Sequence, residues 1–330
     1  MKREELDKVP EFLKDFITYM LAIKGKSQKT VDEYFLDIRT FLRYMLVLYN
    51  EASLENFDEI EIKDFPVALL DKITLHDLYE YLAYVAGERL NNASSRARKV
   101  SSLRTFFKYL NVKAKLIHDN PTKDLDSPKI PKSLPKYLSL GESKMLLDSI
   151  TGQDSKRDFA MITLFLNCGL RLSELAQINI NSIRGDTLTV IGKGNKERTI
   201  YLNQACLSAV DDYIKNERSM KEPKGNDKNA LFLSRLNKRI SIKTIQHIVK
   251  KRLREAGLDE TKYSVHKLRH TAATLMYKHG NVDVRILQEI LGHTELSTTQ
   301  IYTHLDNEQL RAASAKNPLA DFETTKNTDD

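Results

Sequence analysis

The chain has 330 residues, a formal net charge of +7 and a sequence pI near 9.1. That length exceeds one ordinary small domain, so two are expected, and the basic balance points to a polyanionic partner. Cys168 and Cys206 are the only cysteines, with no CxxC and no Cys/His cluster, which argues against a disulfide scaffold or a zinc site. The opening MKREELDKVPEFLKDF lacks the apolar run of a signal peptide, and no stretch approaches the roughly 18 apolar residues of a membrane span. A cytoplasmic protein with no membrane partner is the expectation.

The first part of the chain reads as helical. Phe12, Leu13, Phe16, Tyr19, Met20 and Ile23 form one helical stripe. Ser27 suits the N-cap of a second helix, where Val31, Tyr34, Phe35, Ile38, Phe41, Leu42 and Met45 recur every three or four residues. Residues 51–71 are acidic without a sustained period and read as a surface excursion outside the core. A third helix is expected from near Thr74 and a fourth from about Ala93 to Leu110. In the fourth, Val100, Leu103, Phe106, Phe107 and Leu110 form the apolar stripe, while Arg89 to Lys115 holds eight Lys/Arg and no Asp/Glu. A merely solvated face usually mixes both signs. The one-sided excess predicts phosphate contact through Arg96, Arg98, Lys99, Arg104 and Lys108.

Pro121, Pro128, Pro131 and Pro135 then mark a linker. Helical patterns resume at Leu138 to Ile150 and Asp158 to Asn167. From Thr187 to Leu202 the period changes to alternation around GKGNKE, a β-hairpin. Helices return from about Asn203, over Ile242 to Ala256, and onward to Asn317; the polar, acidic end is expected to be disordered. The predicted fold is mainly α with a small antiparallel β-sheet: a helical domain over 1–118, a Pro-rich linker over 119–137, a second domain over 138–317 and a tail over 318–330.

The second domain carries the polar residues that point to chemistry. Arg171, in GLRLSE, falls at a loop–helix junction where Gly169 permits a tight turn and Glu174 is spaced to orient the guanidinium; alone, this is an ordinary surface Arg–Glu pair. Lys193 lies at the hairpin tip in GKGNKER, which lacks the GxxxxGK[ST] pattern of a P-loop. A lysine there suits a general acid if its surroundings lower its pKa, although a solvated basic turn is the commoner fate. His266 and Arg269 share a helix face at i, i+3, with His270 expected to point elsewhere. The adjacent positive charge disfavours a metal at His266, and no carboxylate cluster accompanies the motifs, so metal-free chemistry without a cofactor is expected. His293 follows a helix over Val284 to Leu291, with Gly292 as its C-cap. Tyr302 is one of 14 tyrosines, and a phenol with pKa near 10 attacks only where positive charge stabilises its phenolate. If these segments converge, two arginines, a lysine and two histidines surround one phosphodiester with Tyr302 as attacking group. Such a site cuts and rejoins nucleic acid through a covalent tyrosyl intermediate.

GLRLSEL, GKGNKERTIYL, HKLRHTAATLM and LGHTELSTTQIYTH resemble the motifs of tyrosine recombinases, most closely the Xer-like integrases, and SSRARKVSSLRTFFKYL with the Pro-rich segment resembles the end of that family's core-binding domain and its linker. The resemblance implies an N-terminal helical core-binding domain and a C-terminal α+β catalytic domain. It implies that Arg171, His266, Arg269 and His293 bind the scissile phosphate, and that Lys193 is general acid towards the 5′-hydroxyl leaving group. His266 would be base for Tyr302, the nucleophile that forms a 3′-phosphotyrosyl bond, with Glu174 supporting Arg171. It further implies double-stranded DNA with a specific recombination site, no metal and no ATP. The assembly would be a homotetramer or heterotetramer on two sites, with a C-terminal helix near 306–314 packed into a neighbouring subunit. Chromosome-dimer resolution and mobile-element integration use the same parts. A type IB-like topoisomerase and a non-catalytic DNA-binding protein of the same fold are the alternatives.

Overall fold

The structure, a computed structural model, describes residues 3–130, 136–192, 197–280 and 282–292. The chain divides into two compact units, Met1–Lys132 and Ser133–Asp330, a division that falls inside the predicted linker.

In the first unit, α1 (Arg3–Leu6), α2 (Glu11–Thr18), α3 (Gln28–Leu48), α4 (Val67–Leu70), α5 (Leu75–Gly87) and α6 (Ala93–Tyr109) build a helical bundle. The starts follow the capping chemistry in the sequence: the Thr30 amide donates to Ser27 Oγ at 3.3 Å, and Thr74 forms a reciprocal capping box with Asp77. The expected stripes bury a largely aromatic core. Phe16 meets Phe106 edge-on with ring centroids 5.2 Å apart, and Phe41 meets Phe107 likewise at 5.7 Å.

Two expectations are corrected here. Residues 51–71 are not an excursion outside the core, because Ile62, Phe65, Leu69 and Leu70 belong to the buried cluster and Phe57 is buried too. Apart from the single turn of α4, the segment enters the core by isolated side chains, which leaves no sustained periodicity to detect. The basic face of α6 is also not uniformly available to DNA. Lys99 is buried, and its ammonium donates to Asp37 Oδ1 at 2.9 Å. Arg98 and Ser102 donate to the other oxygen of the same buried carboxylate, at 2.6 and 2.8 Å. The counter-charge absent from the α6 window is supplied by α3. Arg96 donates to the Asn91 carbonyl at 2.7 Å. Arg104 donates to the Leu125 carbonyl and to Ser127 Oγ, fastening the start of the predicted linker, where Leu125 is fully buried. Lys108 remains exposed.

In the second unit, α7 (Leu140–Asp148) and α8 (Ser155–Cys168) are followed by α9 (Leu172–Gln177). Strands β1 (Ile183–Arg184), β2 (Thr187–Ile191) and β3 (Glu197–Tyr201) form one antiparallel sheet in the order β1-β2-β3. Then come α10 (Gln204–Asn216), α11 (Ile242–Glu255), α12 (Val265–Gly280) and α13 (Val284–Leu291). Helix α8 is the centre: Ala160, Met161, Ile162, Leu164 and Phe165 are fully buried on successive faces. Pairing of Leu188 with Ile200 and of Val190 with Arg198 fixes the hairpin register, so Arg198 shares the inward face of β3 with buried Ile200. The expected tail and the helix near 306–314 lie outside the described residues.

Candidate active site

The site is assembled at the C-terminal ends of α8 and α13. Helix α8 stops at Gly169, whose φ of 58° is left-handed and natural to glycine. A Cβ there would stand 2.7 Å from Leu291 Cδ2, so glycine also admits α13 to the turn. Three residues later the chain re-enters helix at α9, leaving Arg171 at the junction as its N-cap. Glu174, in the first turn of α9, folds back to accept the Arg171 amide at 2.7 Å, one half of a capping box. Its other oxygen accepts from Arg171 Nη1 at 2.7 Å, so the two side chains are in contact as their spacing suggests.

Arg269 is buried on α12, where it donates from Nη1 to the Gly169 carbonyl at 2.6 Å and from Nη2 to the Leu291 carbonyl at 2.5 Å. Arg171 Nη2 donates to the Gly292 carbonyl at 2.6 Å. Arg198, from β3, donates from Nη1 to the Ile290 carbonyl and from Nη2 to Glu174 at 2.8 Å. Three arginines from three elements therefore hold the three consecutive carbonyls 290, 291 and 292 at the end of α13. Those groups lack partners within a helix and form the negative end of its dipole, which is why cations gather there. Gly292, at φ 62°, passes so close to Arg198 that a Cβ would stand 2.9 Å from Arg198 Cδ.

Glu174 is buried between these cations. Burial pushes its carboxyl up, but the Arg171 amide and the Arg198 and Arg171 guanidinium groups outweigh that, and its pKa lies below the usual carboxylate value. It stays ionised and neutralises part of the cluster.

Arg171, His266 and Arg269 line one cleft of about 790 Å³. His266 stands at its rim. Partial desolvation, then the charges of Lys267 and Arg269, hold its pKa below the ordinary imidazole value, so the neutral form is favoured. His270 does not point elsewhere, as the i, i+3 reading had it. At i+4 its Nε2 lies 3.1 Å from His266 Nε2, with the rings 4.5 Å apart and nearly perpendicular. One of those nitrogens carries the shared hydrogen, so the pair couples the tautomers of the two rings.

The structure thus brings Arg171, Glu174, His266 and Arg269 together, while Lys193, His293 and Tyr302 lie outside the described residues. Sequence reasoning missed Arg198, and it missed the cleft wall supplied by α11 through Gln246, His247 and Lys250. The i, i+1, i+4 spacing of those three polar residues was the available signal. Among the described residues, no group of three His, Cys, Asp or Glu side chains is arranged to hold a metal ion, and no helix is long and apolar enough to cross a membrane.

Known proteins resemble this chain in sequence and in fold. The profile described as "Phage integrase family" covers residues 136–309, and "Phage integrase, N-terminal SAM-like domain" covers 66–113. The "Tyrosine recombinase XerC" of Caldanaerobacter subterraneus subsp. tengcongensis is 53% identical over 327 residues, spanning 97% of this chain and 92% of the relative. A protein of the same description from Leptospira interrogans is 33% identical over 312 residues, spanning 93% and 92%. Among solved structures, the XerH site-specific recombinase bound to its palindromic difH substrate superposes with a TM-score of 0.66 at 22% identity, covering 94% of this chain and 97% of that one. A lambda integrase fragment bound to a COC′ core site superposes at 0.64 and 18% identity, covering 87% and 95%. At such identities these two likenesses speak for the fold alone.

Proposed function

This chain belongs to the phage integrase family, and from that premise we propose that it is a site-specific DNA recombinase that cleaves and rejoins strands through a 3′-phosphotyrosyl intermediate. The observation that carries the reading is the convergence of Arg171, His266 and Arg269 on one cleft, with Glu174 ionised behind Arg171. Arginine forks match two phosphate oxygens each, and two of them facing one phosphodiester stabilise the charge that develops as it becomes pentacoordinate. A well-placed donor of this kind lowers the barrier by about 3–4 kcal/mol.

In this reading the phenolic oxygen of Tyr302 attacks the scissile phosphorus and loses its proton to neutral His266. The P–O5′ bond breaks, and Lys193 protonates the departing 5′-oxygen to give the 5′-hydroxyl. His293 adds a further donor to the phosphate. The phosphotyrosyl ester keeps the energy of the broken bond, so a 5′-hydroxyl from a second duplex displaces Tyr302 without ATP. Exchange between two sites calls for a tetramer on two DNA duplexes, in cytoplasmic chromosome-dimer resolution or mobile-element integration. The wall of α11 supports duplex contact, since Lys250 extends the positive lining of the cleft beyond the scissile position. On the first unit, Lys108 is an exposed cation of α6 suited to phosphate. The 53% identity to a tyrosine recombinase across almost the whole chain favours exchange over a type IB-like topoisomerase or a non-catalytic binder.

The test is a suicide duplex, nicked beside the cleavage point and carrying a site recovered by sequencing DNA bound to the protein. Wild type is expected to accumulate a covalent adduct that Tyr302→Phe cannot form. An adduct that survives this substitution overturns the assignment.

A further inference from the structure

The geometry points to Arg198, in the GKGNKER hairpin, as a positioning residue that sets the Arg171 guanidinium and the end of α13 for cleavage. It rests on the recombinase reading and adds a residue to its machinery. Arg198 does not line the cleft. Its side chain runs on the inward face of β3, 15% exposed, beneath Gly292. A charged side chain on that face needs an anionic partner, and Arg198 has two acceptors on two different elements: Glu174 Oε2 at 2.8 Å and the Ile290 carbonyl.

Each contact acts on a residue of the cleft. Glu174 divides its oxygens, with Oε1 on Arg171 Nη1 and Oε2 on Arg198 Nη2 and the Arg171 amide. Without Arg198, Oε2 keeps only the Arg171 amide, so the carboxylate is free to turn on that contact and draw the Arg171 fork towards α9 and away from a phosphate. The Ile290 contact holds the last turn of α13 in the same grip as Arg269 on Leu291 and Arg171 on Gly292. From Gly292 the chain leads directly to His293 and, nine residues on, to Tyr302. The strand bearing Arg198 also begins four residues after Lys193 in the sequence. One guanidinium therefore ties together the hairpin of the general acid, the counter-ion of Arg171 and the helix that leads to the nucleophile. The planar fork is what allows two acceptors at once, and an ammonium on a shorter reach satisfies one.

Full-length wild type, Arg198→Ala and Arg198→Lys are compared on the suicide duplex, with the single-turnover rate at saturating DNA and the DNA Kd measured separately. Arg198→Ala is expected to lose on the order of 100-fold in rate, the scale of a misplacement near 1 Å. Its Kd should stay within about threefold of wild type. Guanidinium ion at non-denaturing concentration should restore part of the Arg198→Ala rate, which a merely structural ion pair would not show. Arg198→Lys should recover melting temperature but less than about a tenth of the rate. Should Arg198→Ala fail to fold, Arg198→Lys carries the same comparison. A wild-type rate at saturating DNA in either variant, or a loss confined to Kd, overturns the inference. Absence of any wild-type adduct instead overturns the recombinase reading, so the two failures are distinct.

Discussion

Gly169→Ala tests whether the close approach of α13 to the α8 turn holds the site together. An alanine would have to adopt φ near 58°, at a cost of roughly 1–2 kcal/mol for an L residue. Its Cβ would also meet Leu291 Cδ2 at 2.7 Å and Ala272 Cβ at 3.6 Å. The first of these is the far end of a flexible side chain, so overpacking adds about 1–2 kcal/mol, the low part of its range. The total of about 3 kcal/mol lowers the melting temperature of the C-terminal unit by roughly 6–12 °C for a domain of this size. The same shift moves the Gly169 carbonyl that Arg269 holds, so cleavage should fall beyond what the loss of folded protein explains. The decisive assay is a double-mutant cycle by thermal melting with Leu291→Ala. Leu291 is fully buried, so its truncation alone costs about 2–5 kcal/mol. Because the truncation also removes the clashing methyl, the pair should cost less than the sum by about 1–2 kcal/mol. A Gly169→Ala protein that melts with wild type, or strict additivity in the cycle, would refute the reasoning.

Further predictions concern charge. Glu174→Gln leaves two guanidinium groups without their buried counter-ion and should cost about 3–5 kcal/mol in urea unfolding, with a matching loss of cleavage. Since the folded-state pKa of Glu174 lies below its unfolded value, its stabilisation is present above the unfolded value and vanishes as pH falls through the folded one. The acid limb of the stability–pH curve should therefore flatten in Glu174→Gln. In the first unit, Lys99→Met should leave the slope of log K against log salt unchanged, whereas Lys108→Ala should reduce it by about 0.9. Equal slopes for the two variants would contradict the assignment of Lys99 to the interior. In DNA-free protein, the His266 imidazole should titrate below about 6.5 by NMR, and a midpoint above that would show that the cleft favours the imidazolium.

What the sequence made legible was local and periodic. Ser27 caps the helix it was expected to cap, Thr74 and Asn203 cap the helices expected to begin near them, and α13 runs over Val284–Leu291 as its apolar spacing requires. His266 and Arg269 reach one cleft because three residues of helix return nearly to the same face. The misses share a different cause. Lys99 was read as a surface cation because its partner Asp37 lies 62 residues upstream on another helix. Phe57, Ile62 and Phe65 enter the core singly, so no window shows a period. His270 was set aside by an i, i+3 reading, although i+4 is equally a neighbour on a helix. Arg198 was detectable in principle, since it shares the inward face with Ile200, but its acceptors are separated from it by 24 and 92 residues. That three arginines would share successive carbonyls of α13 follows only from tertiary packing.

The most direct measurement is mass spectrometry of the adduct trapped on the suicide duplex, after digestion of both protein and DNA. A nucleotide remnant joined through its 3′-phosphate to the peptide containing Tyr302 is the predicted result. A remnant on another residue, attachment through a 5′-phosphate, or no covalent species on a cognate site would contradict the account.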